Sequence, residues 1–98
     1  MAHIIGDGSG GFARVFVRAS ALKHGLTAER IRHAISVGRM PLANPRSESQ
    51  MLFLGPDQHG NPLEVIAVVD RDDVLVVLHA MPLRPAYRRL YGEVSGHQ

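Results

Sequence analysis

The chain has 98 residues, enough for one domain, and 45% of them are hydrophobic, an ordinary share for a globular fold. It has no cysteine, which excludes disulfide frameworks, thiolate zinc sites and cysteine nucleophiles. The net charge of +2 hides a partition: seven bases against one acid from Phe12 to Arg46, one base against six acids from Ser47 to Leu83, then three arginines and Glu93.

Residues 1–12 carry "GDGSGG" and read as a flexible leader. They show no basic region followed by an apolar run, so a signal peptide is not expected. No apolar stretch is long enough to span a bilayer, and a cytoplasmic protein is expected. The domain is expected over residues 13–94, with a short tail at 95–98. Val15 and Val17 alternate as in a short extended piece. "SALKHG" predicts a first helix, with Ser20 as N-cap and Gly25 as a left-handed stop. "LTAERIRHAISVGRMP" predicts a second. Thr27 caps it, Glu29 sits in its first turn, and Ile31, Ala34 and Ile35 share one face. Arg32, Ser36 and Arg39 share another.

"LANPRSESQ" reads as a polar loop. Strands are predicted from Met51 to Leu54, Leu63 to Val69 and Val74 to Ala80, joined through "GPDQHGNP" and "RDD". The last is apolar at nearly every position, as a central strand covered on both faces would be. Pro82 and Pro85 bracket a break, and "PAYRRLYGEV" then predicts a short helix with Tyr87, Leu90 and Tyr91 on one face. The fold class expected is α+β: two N-terminal helices, a three-stranded antiparallel meander and a short C-terminal helix.

Three constellations could carry chemistry. Lys23 and His24 close the first helix, where its dipole favours a cation and a protonated ring; the plain alternative is surface dipole compensation. His79 ends the most apolar strand, either as a hydrogen-bonded core histidine or as a ring facing a groove at the sheet's mouth. Arg84, Arg88 and Tyr91 follow helical spacing and would share one side. Arg, His and Tyr together can bind a phosphodiester, move protons and stack a base. Alternatively, the tyrosines and Leu90 dock the helix and the arginines are solvated. The six histidines show no HxH or HxxxH spacing, so neither metal site nor cofactor is expected. "GDGSGG" is no phosphate loop, no serine sits on a nucleophile elbow, and "TAERIRHAISVGR" lacks a well-formed helix-turn-helix partner.

"ALKHGLTAERIRHAI", "LFLGPDQHGNPLEVIAVVD" and "VLVVLHAMPLRPAYRRLY" resemble a group of small actinobacterial toxin-like proteins. Through them the chain resembles the BrnT toxins of type II toxin–antitoxin systems, within the RelE-like superfamily. The resemblance spans about Val15 to Val94. It implies a compact RelE/BrnT-like fold and metal-independent endoribonuclease (mRNA interferase) activity through the RNA 2′-hydroxyl. It also implies a cognate antitoxin as partner, no membrane, and a homo-oligomer or a hetero-oligomer with that antitoxin. Carried onto this sequence, Lys23, His24, Arg84 and Arg88 are the basic positions and Tyr91 ends the motif. His79 joins them by its place at the strand end, where the BrnT pattern usually has another polar residue; the prolines of "MPLRP" are a second departure. The expected catalytic set is His24, His79, Arg84 and Arg88, with Lys23, Arg32, Arg39 and Tyr91 binding RNA. The alternative is a non-catalytic RNA- or protein-binding module of the same fold that docks an antitoxin-like partner.

Overall fold

The computed structural model describes residues 14–37, 42–44 and 47–95. Five strands form one mixed sheet: β1 Val15–Val17, β2 Leu42–Asn44, β3 Ser47–Pro56, β4 Pro62–Val69 and β5 Leu75–Pro82. Their order is β1-β5-β4-β3-β2. β1 runs parallel to β5, and the other pairs are antiparallel. Helix α1 covers Ala28–Val37 and helix α2 covers Arg88–Ser95, with 3₁₀ turns at Ala19–Leu22 and Pro85–Tyr87.

This corrects the expected fold in three places. In place of the helix expected over "SALKHG" there is only a four-residue 3₁₀ turn, Ala19–Leu22, so among the described residues α1 is the first α-helix and lies between β1 and β2. Six residues ending in glycine are too few to offset the cost of helix nucleation. Ser20 is not an N-cap; its hydroxyl donates to the Leu78 carbonyl instead, at 2.9 Å. The meander gains a strand on each side, β1 and β2, and is neither three-stranded nor purely antiparallel. β4, not the more apolar β5, is central.

Helix α1 forms as its pattern dictates. The Arg30 amide donates to Thr27 Oγ1 at 3.1 Å, capping the first turn. Ile31, Ala34 and Ile35 are buried on one face. They meet Phe53, Leu63, Val65, Ala67, Leu75, Val77 and Ala80 from one face of the sheet, with Ala21 and Leu26 at its border. Each fully buried Ile or Leu here contributes roughly 1.5–3 kcal/mol.

The opposite sheet face carries two cross-strand rows. Leu52, Ile66 and His79 are register partners, as are Leu54, Glu64 and Met81. Leu52, Leu54 and Glu64 are buried, and α2 packs against β3. Helix α1 thus covers one face of the sheet, and α2 packs at its β3 side.

The β3–β4 hairpin is fastened by a buried carboxylate. Asp57 Oδ1 accepts the amides of His59 and Asn61 at 2.8 and 2.9 Å. Its Oδ2 accepts Arg30 Nε of α1 at 2.8 Å and the Asn61 side-chain amide at 3.3 Å. Burial works to raise this carboxyl, but the hydrogen bonds from Asn61, Arg30 and His59 outweigh it and hold it well below the usual carboxylate range. His33 Nδ1 lies 3.1 Å from the Pro56 carbonyl, a second tie between α1 and this hairpin.

Candidate functional site

β5 decides where the histidine goes. Leu75 and Val77 face α1, each paired with a core residue of β4, Val69 and Ala67. Strict alternation would send the next odd residue, His79, into the same core. It does not, because the register shifts between Ile66 and Ala67: Ala67 pairs with Val77, but Ile66 pairs with His79. Leu78 is the extra residue of a β-bulge, and such bulges re-aim side chains. Ala80 takes the core position opposite Val65, and His79 turns to the other face, only partly buried.

The same bulge receives the "KHG" turn. The Arg18 amide donates to the Val77 carbonyl at 3.1 Å and Ser20 Oγ to the Leu78 carbonyl, seating the first 3₁₀ turn along β5. Gly25, at φ 81°, then reverses the chain, its amide donating to the Leu22 carbonyl at 3.2 Å. A left-handed residue is least costly as glycine, as expected from the sequence. Exposed Lys23 and His24 arrive beside β5, and the rings of His24 and His79 meet edge to face with centroids 5.3 Å apart. Helix-dipole stabilisation of His24 is not the reason for this placement, since a four-residue 3₁₀ turn has little macrodipole.

The His79 ring is held below the ordinary imidazole value, first by burial and then by His24, with Lys23 and Arg84 adding to the effect and Glu64 opposing it. A neutral imidazole is therefore favoured there, ringed by three basic side chains.

Arg84 is not on a helix. It precedes the second 3₁₀ turn in extended conformation, φ −83° and ψ 153°, so Arg84, Arg88 and Tyr91 do not form the expected helical face. Its Nε and Nη2 donate to Glu64 Oε2 at 2.9 and 2.6 Å, and its backbone amide to Glu64 Oε1 at 2.9 Å. The guanidinium carbon also lies 5.5 Å from the Tyr87 ring centroid. The hydrogen bonds and charge of Glu64 raise the Arg84 guanidinium further above its ordinary value.

The other expected residues fall apart spatially. Arg88 is exposed at the head of α2, and the exposed Arg89 makes an i,i+4 pair with Glu93 at 3.7 Å. Tyr91 is half-buried, and that burial raises its hydroxyl, keeping it neutral. Arg32 Nη2 donates to the Val15 carbonyl at 3.3 Å, on edge strand β1. Val15 pairs with Leu75, at the end of β5 away from His79, roughly 13 Å along the strand at the usual rise. Arg32 therefore blunts a sheet edge and is remote from the histidines. Arg39 lies outside the described residues.

Sequence reasoning missed Glu64. The signal was present: a lone acid inside the apolar run "LEVIAVV" must find a cation or hydrogen-bond donors when buried. Among the described residues no three His, Asp or Glu side chains converge to hold a metal ion, and no helix is long and apolar enough to cross a membrane. No family model, curated protein or solved structure matches the chain.

Proposed function

We propose that this chain is the toxin of a type II toxin–antitoxin pair, a cytoplasmic, metal-independent endoribonuclease. The observation that carries the reading is the His24–His79 pair at 5.3 Å, next to Lys23 in the chain and with Arg84 among the charges that act on His79. Cleavage at a ribonucleotide needs a base for the 2′-hydroxyl, an acid for the leaving 5′-oxygen and cations for the phosphorane charge. His79, favoured neutral, takes the 2′ proton; O2′ attacks phosphorus as the P–O5′ bond breaks, giving a 2′,3′-cyclic phosphate. His24 gives its proton to the departing 5′-oxygen. Lys23 and the exposed part of Arg84 hold the phosphate. The resemblance to BrnT-type toxins in Lys23-His24-Gly25 and in the closing Arg/Tyr segment supports the same class.

The test is cleavage of RNA by purified protein in chelator, against His24→Ala and His79→Ala. Losses of about 10²–10⁴-fold are expected for each. Cleavage that survives both substitutions refutes the assignment of these residues. An inactive wild-type protein that binds its antitoxin tightly would instead establish the non-catalytic docking module. Growth arrest on expression, relieved by the antitoxin, is the expected cellular phenotype.

A further inference from the structure

Glu64 is fully buried, an expensive place for an acid. It stands in the row next to His79 on the same sheet face, since Ile66 pairs with His79 and Glu64 with Met81. Diagonal same-face neighbours on adjacent strands lie roughly 7–8 Å apart. Among the described residues, the three hydrogen bonds that its carboxylate accepts come from Arg84. One holds the backbone two residues after β5 ends; the other two hold one edge of the guanidinium. The Arg84 side chain keeps 43% exposure, so part of the cation still meets solvent. Ion pairs of this kind can commonly be replaced by apolar residues at no loss of stability, so stability alone does not account for the pair. Its distinctive effect is to fix a long, mobile cation in one orientation.

We propose that Glu64 is a positioning residue, which clamps Arg84 so that a pre-oriented guanidinium stands beside the His24–His79 pair. This rests on the reading of that pair as a phosphodiester site. The charged and titratable groups acting on His79 are His24 and Lys23 from the turn after the first 3₁₀ segment, Glu64 from β4 and Arg84 from the segment after β5. Glu64 alone favours the protonated ring.

The test follows the His79 imidazole signal by NMR across pH in folded protein. Glu64→Gln keeps the shape and removes the charge, and the His79 midpoint is expected to fall. Arg84→Gln is expected to raise it, and the paired substitution to return it toward wild type. Arg84→Lys separates charge from geometry: the midpoint holds, while kcat for RNA cleavage drops about 10- to 100-fold with KM little changed, because the fork is lost. Midpoints unmoved in every variant that stays folded would show that neither Glu64 nor Arg84 stands close enough to act on His79, and that result overturns the proposal. So does full kcat in Arg84→Lys. If Glu64→Gln does not fold, Arg84→Gln and the paired variant carry the same test. Midpoints that move as stated in a wild-type protein without ribonuclease activity would keep the clamp and remove the ribonuclease reading.

Discussion

Replacing Arg84 by methionine leaves a buried acid without its cation. Glu64 would lose the two side-chain hydrogen bonds, at 2.9 and 2.6 Å, and keep only the backbone one at 2.9 Å. Breaking a buried pair from one side typically costs about 3–5 kcal/mol. Here the Arg84 side chain is 43% exposed, so water reaches the released oxygen and the loss falls to roughly 2–3 kcal/mol. For a domain of this size that lowers Tm by about 8–15 °C. Adding Glu64→Leu removes the orphaned charge and is expected to recover most of the loss. Urea unfolding followed by circular dichroism measures all three proteins, with an unchanged m-value as the check on two-state comparison. A single variant within about 0.5 kcal/mol of wild type, or a double variant no better than the single, refutes the account of Glu64 as a dependent buried charge.

Three further outcomes are expected. Asp57, depressed in the folded state, contributes stability that is complete above its unfolded value near pH 4 and is lost as pH falls through the folded value; the gap between wild type and Asp57→Asn should therefore narrow below pH 4, and a gap constant from pH 7 to 2 would contradict it. Gly25→Ala forces a side chain into φ 81° and is expected to cost about 1–2 kcal/mol and to displace His24, seen as loss of His24–His79 nuclear Overhauser contacts; unchanged contacts would show that the turn does not depend on glycine. If His79 is the base, the acid limb of the kcat/KM profile should break below 6.5, the ordinary imidazole value, and a break above it would exclude His79 from that role.

The parts of the fold that depend on near neighbours were legible. Thr27, Ile31, Ala34 and Ile35 define α1 because cap and periodicity are local. The left-handed stop at Gly25 was legible for the same reason. β2 was not, because Leu42–Asn44 is extended by pairing with β3, and strand preference depends strongly on context. Nor was the parallel β1–β5 pairing, whose partners Val15 and Leu75 lie a whole domain apart in sequence. His79 was undecidable between core and surface because a run as uniformly apolar as "VLVVL" hides the bulge that sets its parity. The expected face of Arg84, Arg88 and Tyr91 failed because Pro85 leaves Arg84 in extended backbone before any helix begins.

The charge partition along the chain also takes a different meaning in three dimensions. Read linearly, a basic first segment and a basic last segment flank an acidic middle. In the folded chain three of these cations tie the basic segments to the acidic middle. Arg30 of α1 pairs with Asp57 of the β3–β4 hairpin, and Arg84 pairs with Glu64 of β4. Arg14 donates to the Asp72 carbonyl in the β4–β5 turn at 2.6 Å, whereas Arg32 bonds within its own segment, to Val15 of β1. Among the described residues the two buried acids, Asp57 and Glu64, each take one arginine, so part of the charge partition reflects which segments meet. On the proposed reading, the groups among the described residues that would hold a phosphate at the histidines are few: Lys23, His24 and the part of Arg84 that Glu64 leaves exposed. On that reading, a small, pre-set cluster of this kind suits one phosphodiester at a time, bound beside the two touching imidazoles, better than a broad electrostatic surface for duplex nucleic acid, which needs many unpaired cations in register with successive phosphates.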